Sequence, residues 1–347
     1  MAKTIAVLGA TGNQGGAVAL FFDAQGWNVR GISRSASSAS SKALSSKGIS
    51  VVEADVDDFS SLVSAFSGAH VIFAVTDFWA PFFEAYPELS KVSDRATGEH
   101  ALAIEVRRGK TIVDAATKVL EKEGILERFV FSTLPSFKDL SGGKYTYAYH
   151  FDAKAVVSEY LKEQKALWEK SSLLNMAFYT TNMLIKMGSL MGAKKDPNGN
   201  KIIWRRAGSN EAVHPFVVLG DTGIFVDLLV RSPPKQDLLG VSETASYATF
   251  MKIWSEVTGV PSEVQQETED EADKAIPGGL GREIAESTST SAEFGWGKHL
   301  VLPKDVSTRF NLFDSKLISG QLDPNVKTTS LRTYFENEDW KPFLENA

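Results

Sequence analysis

Residues 4–22 read TIAVLGATGNQGGAVALFF: strand-forming side chains that break at Gly9 and, past Gly12, Gly15 and Gly16, resume as an apolar stretch with helical spacing. Gly9, Gly12 and Gly15 stand at G-x-x-G-x-x-G spacing, and each has a task in a strand-turn-helix unit. One lets the chain turn sharply after the strand, one lets the backbone approach a pyrophosphate with no Cβ in the way, and one lets the helix pack closely on the strand. The helix that follows presents unpaired N–H groups and the positive end of its dipole to an anion. Ala17, Leu20 and Phe21 lie at the spacing of a packing face. The loop residues Gly9, Thr11, Gly12, Asn13, Gln14 and Gly15 form the first candidate cofactor-binding set.

Outward from this stretch, short β-branched or aromatic runs alternate with longer helical patterns, the rhythm of repeated βαβ units on a parallel sheet. The candidate strands are TIAVLG, NVRGIS, ISVVEA, HVIFAV, RFVFST and LLNMAFY, and KTIVDAATKVLEKEG is a helix stopped by its glycine. The fold class is α/β: a Rossmann-type doubly wound parallel sheet with helices on both faces and a smaller α+β C-terminal region. Residues 1–182 are assigned to the dinucleotide domain and 183–347 to a substrate or partner region, with some of its segments free to return to the Rossmann core. In that second part KKDPNGNKIIWRRAG predicts a hairpin and VHPFVVLGDTGIFVDLLV a short strand followed by a helix. The acidic run ETEDEADKA reads as a solvated face, and IPGGLGRE as a loop, because no parallel-type strand leads into it.

Composition narrows the function. A chain of 347 residues with 43% hydrophobic content fills a sizeable core. A net charge of −6 gives no basic footprint for nucleic acid, the short pairs Arg107-Arg108 and Arg205-Arg206 aside. The histidines, His70, His100, His150, His214 and His299, stand apart with no i, i+4 pair, so no metal site is expected. With 0 cysteines there is neither disulfide nor thiolate chemistry, and any redox chemistry must come from a bound cofactor. No apolar run is long enough to span a membrane, and a strand directly after Met-Ala-Lys leaves no room for a signal peptide. The expected location is cytoplasmic, with the nucleus as a second compartment.

The end of the second candidate strand bears on cofactor choice. An NAD site wants an acidic residue there for the ribose hydroxyls, whereas WNVRGISRSASSASSK offers Arg34. A guanidinium pairs with a 2′-phosphate through charge-assisted hydrogen bonds, with Ser33, Ser35 and Lys42 as further donors, and this points to NADP(H). The competing reading of Arg34 is an exposed arginine at the start of a surface helix. Asp55, ending the third strand where the adenine would lie, and Thr76, Asp77 and Phe78, after the fourth, are each either a cofactor contact or an ordinary loop residue.

The stretch YTYAYHFDAKAVVSEYL, with LGATGNQGG, VTDFW and HPFVVLGDTG, resembles the NmrA-like family, an atypical branch of the short-chain dehydrogenase superfamily, over roughly residues 4 to 260. Members most similar in pattern are NADPH-binding redox sensors that act through partner proteins. Others are quinone or flavonoid-type reductases, and some fungal ones are nitrogen-metabolite regulators that bind a transcription factor. The resemblance therefore implies NADP(H) binding, and either a cofactor sensor working through a regulatory partner protein or an NADPH-dependent reductase of a small carbonyl, quinone or enone substrate; the sensor is the first expectation. It also implies that Lys154 holds the nicotinamide ribose.

In an ordinary short-chain dehydrogenase a tyrosine one helical turn before the lysine supplies the proton. Here His150 stands at that spacing from Lys154. Tyr149 is a further residue back, about 140° round a helix from Lys154. His150 has a pKa range suited to proton transfer, and is equally a capping or packing residue near a helix start. Lys154 and His150 are the catalytic candidates. Ser132 and Thr133 take the dehydrogenase serine position or are satisfied strand-end hydroxyls, while Tyr179 faces the nicotinamide after the sixth strand and Asn182 either joins it or caps a helix.

Overall fold

The computed structural model describes residues 2–184, 192–296, 300–302, 322–323 and 325–347; His299 lies outside them. A parallel seven-stranded sheet organises the molecule. Its strands are β1 (Thr4–Leu8), β2 (Asn28–Ser33), β3 (Ser50–Glu53), β4 (Val71–Val75), β5 (Arg128–Thr133), β6 (Ser171–Met176) and a late strand, Asp237–Gly240. From one edge the order is Asp237–Gly240, β6, β5, β4, β1, β2, β3. The chain returns past β1 between β3 and β4, so the crevice beyond the carboxyl ends of β1 and β4 is the topological switch point where this architecture holds ligands.

The two-residue period of the strands divides the core. On β1 and β4, Ile5, Val7, Val71 and Phe73 enter one apolar cluster, while Ala6, Leu8, Ile72 and Ala74 enter another on the opposite face. Both faces of the sheet are therefore covered, as a parallel sheet requires. The six candidate strands coincide with β1 to β6, LLNMAFY also supplying the two-residue strand β7 (Phe178–Tyr179). The helix Ala96–Glu123 stops where expected, at Gly124, whose φ of +70° is readily adopted by glycine.

The helix after the glycines, Asn13–Ala24, forms with a different inner face from the one its spacing suggested. Gly15, Val18, Ala19 and Phe22 are buried, whereas Leu20 is 39% exposed. Contact at Gly15 sets the rotation of the helix on the sheet. Phe21 instead meets the helix Thr222–Arg231 at Gly223, where a Cβ would come within 2.2 Å of the phenylalanine.

The later chain builds two small sheets. β10 (Val213–Val217) pairs in parallel with β7 and antiparallel with β12 (Glu243–Ser246), where β11 denotes the intervening Asp237–Gly240. β9 (Ile202–Ala207) forms the expected hairpin with β8 (Lys194–Lys195) and pairs in parallel with β13 (Ser262–Glu267). The acidic run folds as the helix Glu269–Ala275, opened by a capping box between Thr268 and Glu271. Glu267, at its start, is buried rather than solvated, and burial holds its carboxyl above the usual range. IPGGLGRE turns at Gly278 and Gly279 and then begins the helix Leu280–Phe294. Among the described residues no helix is long and apolar enough to cross a membrane, and none of their His, Asp and Glu side chains forms a group able to hold a metal.

Candidate functional site

A cavity of about 1110 Å³ opens at the switch point, and the glycine-loop residues Gly9 and Thr11 to Gly15, together with Arg34, Asp55, Thr76, Asp77, Phe78, His150, Lys154 and Tyr179, line it. At its core is the glycine turn. Gly9 has a φ of +73°, and its N–H donates to the Ile32 carbonyl of β2 at 3.1 Å, fixing the turn against the neighbouring strand. A Cβ on Gly15 would lie 2.3 Å from the Gly9 oxygen, so the helix presses directly on the turn. Gly12 caps that helix and has no side chain to bond the first-turn N–H groups, which stay available at an open N-terminus. Gln14 ties the loop to the sheet by accepting from the Ser132 hydroxyl at 2.6 Å.

At the end of β2, Arg34 is exposed and its side chain makes no ion pair or hydrogen bond among the described residues. Ser33 and Ser35 line the cavity beside it, and so does Ser38; Lys42 does not. Asp55 lies at the β3 end of the same cavity. Nearby, Arg108 grips Asp57 through Nε at 3.1 Å and Nη2 at 2.7 Å, and Arg107 adds a bond at 2.6 Å. These arginines, Arg108 foremost, hold the Asp57 carboxyl below its usual range.

Beyond β4 the candidates separate by environment. Asp77 accepts from the N–H groups of Trp79 at 2.9 Å and Ala80 at 3.2 Å, capping the helix Trp79–Leu89, while Phe78 is packed into the core. Thr76 is buried and donates its hydroxyl to Glu105 at 2.6 Å. Lys154, on the helix Tyr149–Glu163, reaches the carbonyl and hydroxyl of Thr76, each at 3.3 Å, and pairs with the Glu105 carboxylate. Glu105 is wholly buried in the helix Ala96–Glu123, so this is a buried ion pair facing a cavity.

Strand-end hydroxyls are already engaged: Ser132 with Gln14, and Thr133 with Ser158 at 2.7 Å. Tyr179 lines the cavity, and burial holds its phenol well above the usual range. Asn182 also lines it, from the short 3-10 turn Thr180–Leu184. Tyr149 does not; its phenol accepts from Arg95 at 2.8 Å and is pushed up to about 12 by burial, and its ring fills the space a Cβ on Gly98 would need.

His150 lines the cavity with a partner that the sequence did not suggest. Glu283, buried in the helix Leu280–Phe294, accepts from the backbone N–H of Tyr149 and of His150, each at 3.0 Å, and contacts His150 Nδ1. A carboxylate thus sits at the positive end of the Tyr149–Glu163 helix and takes one imidazole nitrogen. Nε2 makes no hydrogen bond among the described residues. The same helix brings Glu286 to the N–H groups of Thr146 and Tyr147, at 2.6 and 2.7 Å, so the approach to His150 is held from one side by two carboxylates.

Glu105 and Glu283 are the residues that sequence reasoning missed. Glu105 had a signal: it falls four residues after Ala101 on the buried stripe of its helix, a charge where the pattern calls for an apolar side chain. Glu283 had none, since its partner lies 133 residues earlier. Arg206, buried and stacked on Trp204 and Tyr247, also lines the cavity without having been a candidate.

A doubly wound parallel sheet whose switch point carries a glycine-built helix N-terminus and an adjoining cavity defines a Rossmann-type protein. The NmrA-like family matches residues 1–335, and the chain belongs to that family. It is similar to the NmrA-like family domain-containing oxidoreductase FrzB of a Cladobotryum species, 29% identical over 275 residues covering 75% of this chain and 74% of that one. Among solved structures it resembles the negative transcriptional regulator NmrA in complex with NADP, with 18% identity, a TM-score of 0.68 and coverage of 97% of this chain and 95% of that one. It also resembles the NADPH-dependent quinone oxidoreductase QOR2 from Escherichia coli, with 17% identity, a TM-score of 0.62 and coverage of 95% and 98%.

Proposed function

We propose that the protein is an NADP(H)-dependent oxidoreductase that reduces a small carbonyl, quinone or enone compound, with His150 as proton donor. The observation that carries this reading is the His150–Glu283 pair at the wall of the cavity that Lys154 also lines. The residues fit a dinucleotide: Gly12 leaves the helix N-terminus open, Gly15 closes the turn beneath it, and Arg34 stands without an ion partner among the described residues, where a 2′-phosphate would meet it. Lys154 would hold the nicotinamide ribose. The relatives named as oxidoreductases support the same class of activity.

NADPH held there would supply a hydride, that is two electrons and one hydrogen. The chain's own part is the second hydrogen. In the imidazolium form His150 donates Nδ1–H to Glu283 and presents Nε2–H to a substrate oxygen; after giving up that proton the ring is neutral and still anchored through Nδ1. A carbonyl compound leaves as the alcohol, with the hydride on carbon and the proton on oxygen; a quinone takes the same hydride and proton and leaves as the hydroquinone. A protein that only senses its cofactor needs no such donor, which is why the dyad places the reductase ahead of the sensor working through a partner protein. The test is cofactor oxidation against a panel of quinones, enones and carbonyl compounds. We expect turnover with NADPH for at least one class; NADPH binding with no turnover across the panel would return the sensor to first place.

A further inference from the structure

The substrate end of the cavity is built from rings that touch one another in sequence. Phe83 stacks on Trp79, with centroids 5.6 Å apart and planes at 19°; Trp79 meets His150 at 5.0 Å, and His150 meets Phe151 at 4.5 Å. Phe151 meets Trp296 at 5.3 Å, and Trp296 meets Phe178 at 4.6 Å. All six residues line the cavity, and the proposed proton donor stands in the middle of the series. Trp79 and Phe83 are only half-buried, so part of each ring is not committed to the core. They come from the first turns of the helix that follows β4, Trp79–Leu89, beside the cofactor cradle.

From this geometry we infer that the site selects a planar aromatic substrate, its rings lying along Trp79 and Phe83 and its reducible oxygen reaching His150. The inference rests on the oxidoreductase reading and narrows it to a substrate class. An aliphatic ligand of the same skeleton buries similar area but presents no π-face, so it loses the offset-stacked and edge contacts that aromatic pairs provide beyond burial. A saturated ring also cannot lie flat against a wall of rings.

Binding separates the class from the chemistry. Calorimetric titration of the protein loaded with 1,4,5,6-tetrahydro-NADP, an analogue that neither gives nor takes a hydride, with 2-naphthol and with 2-decalol compares one hydroxylated two-ring skeleton in planar and puckered form, with neither oxidation nor reduction possible. We expect 2-naphthol to bind at least about tenfold more tightly, the equivalent of about 1.4 kcal/mol, and the ratio to fall below about threefold in Trp79→Leu or in Phe83→Leu, whichever variants fold. A ratio below about threefold in the unmutated protein, or a tenfold ratio that survives in every folded variant, overturns the inference. Turnover of enones with no aromatic preference would leave the reductase standing without this substrate class. Selective 2-naphthol binding with no turnover on any panel member would do the reverse.

Discussion

The two ends of the cavity are made of different material. The cofactor end is mostly backbone: a positive-φ turn at Gly9, an uncapped helix start at Gly12, and a contact at Gly15 too close for any side chain. The proposed substrate end is side chains, brought from Trp79, His150, Phe178, Glu283 and Trp296. Backbone geometry of this kind needs a particular residue type at a particular spacing, so it leaves a local mark. A side-chain constellation needs only that distant helices pack, and leaves none. The difference also implies that the first end tolerates no added bulk, whereas the second tolerates substitution of single residues at the expense of chemistry.

The sharpest way to strain that contrast is at the junction, where Lys154 and Glu105 pair. Lys154→Met strands a buried carboxylate and should cost about 3–5 kcal/mol in stability, while adding Glu105→Leu should recover most of it. Urea unfolding of the two variants checks this, and a loss below about 1 kcal/mol for the single change would mean that the pair is not closed in solution. Next, Gly15→Val forces the helix off the turn at Gly9. It should abolish the cofactor's stabilisation, which reaches about 2.7 kcal/mol at a hundredfold excess over Kd; an unchanged NADPH-induced rise in Tm would show that the cradle holds something else.

Arg34→Ala tests the one side chain on which cofactor selectivity is made to depend. Loss of a hydrogen bond to a charged group is worth about 1.5–3 kcal/mol, so NADPH should bind roughly ten- to a hundredfold more weakly and NADH nearly as before. Equal affinity of the unmutated protein for both cofactors would remove the basis for NADP(H). The smallest effect is expected near the substrate end. His214 is wholly buried, its Nδ1 is 2.8 Å from the Ser291 hydroxyl, and burial holds its pKa down at about 3, with Arg206 adding to the shift. Its ring is therefore neutral in the folded protein and takes up a proton on unfolding below about 6.5. Stability is present above that pH and lost as the pH falls toward the folded value, at about 1.4 kcal/mol per pH unit, or about 2 kcal/mol between pH 7.5 and pH 5. The pH dependence of urea unfolding should be shallower by this amount in His214→Phe, and parallel curves would contradict it.

What could be read from the chain follows the same division. The parallel sheet was legible because short β-branched or aromatic runs alternate with longer helical patterns, and the glycine cradle because its spacing is local. The inner face of the following helix was not, since AVALFF is apolar throughout and its phase is fixed only by the contact of Gly15 with Gly9. The seventh strand, DLLG, is too short to show a period and joins the sheet only by pairing with β6. His150 could be noticed from its place before Lys154, but the carboxylate that orients it follows a glycine cluster that looks like a loop, and nothing near Glu283 marks it as a partner.

Whether the constellation at the second end performs chemistry is decided most directly by single-turnover oxidation of bound NADPH in His150→Phe, with NADPH affinity measured on the same sample. The account predicts a rate about 10²–10⁴-fold lower, the range for removing a general acid, with affinity retained because the proposed ribose contact comes from Lys154. A substrate reduced at an unchanged rate by His150→Phe would contradict it, and would assign the proton to water or to another hydroxyl.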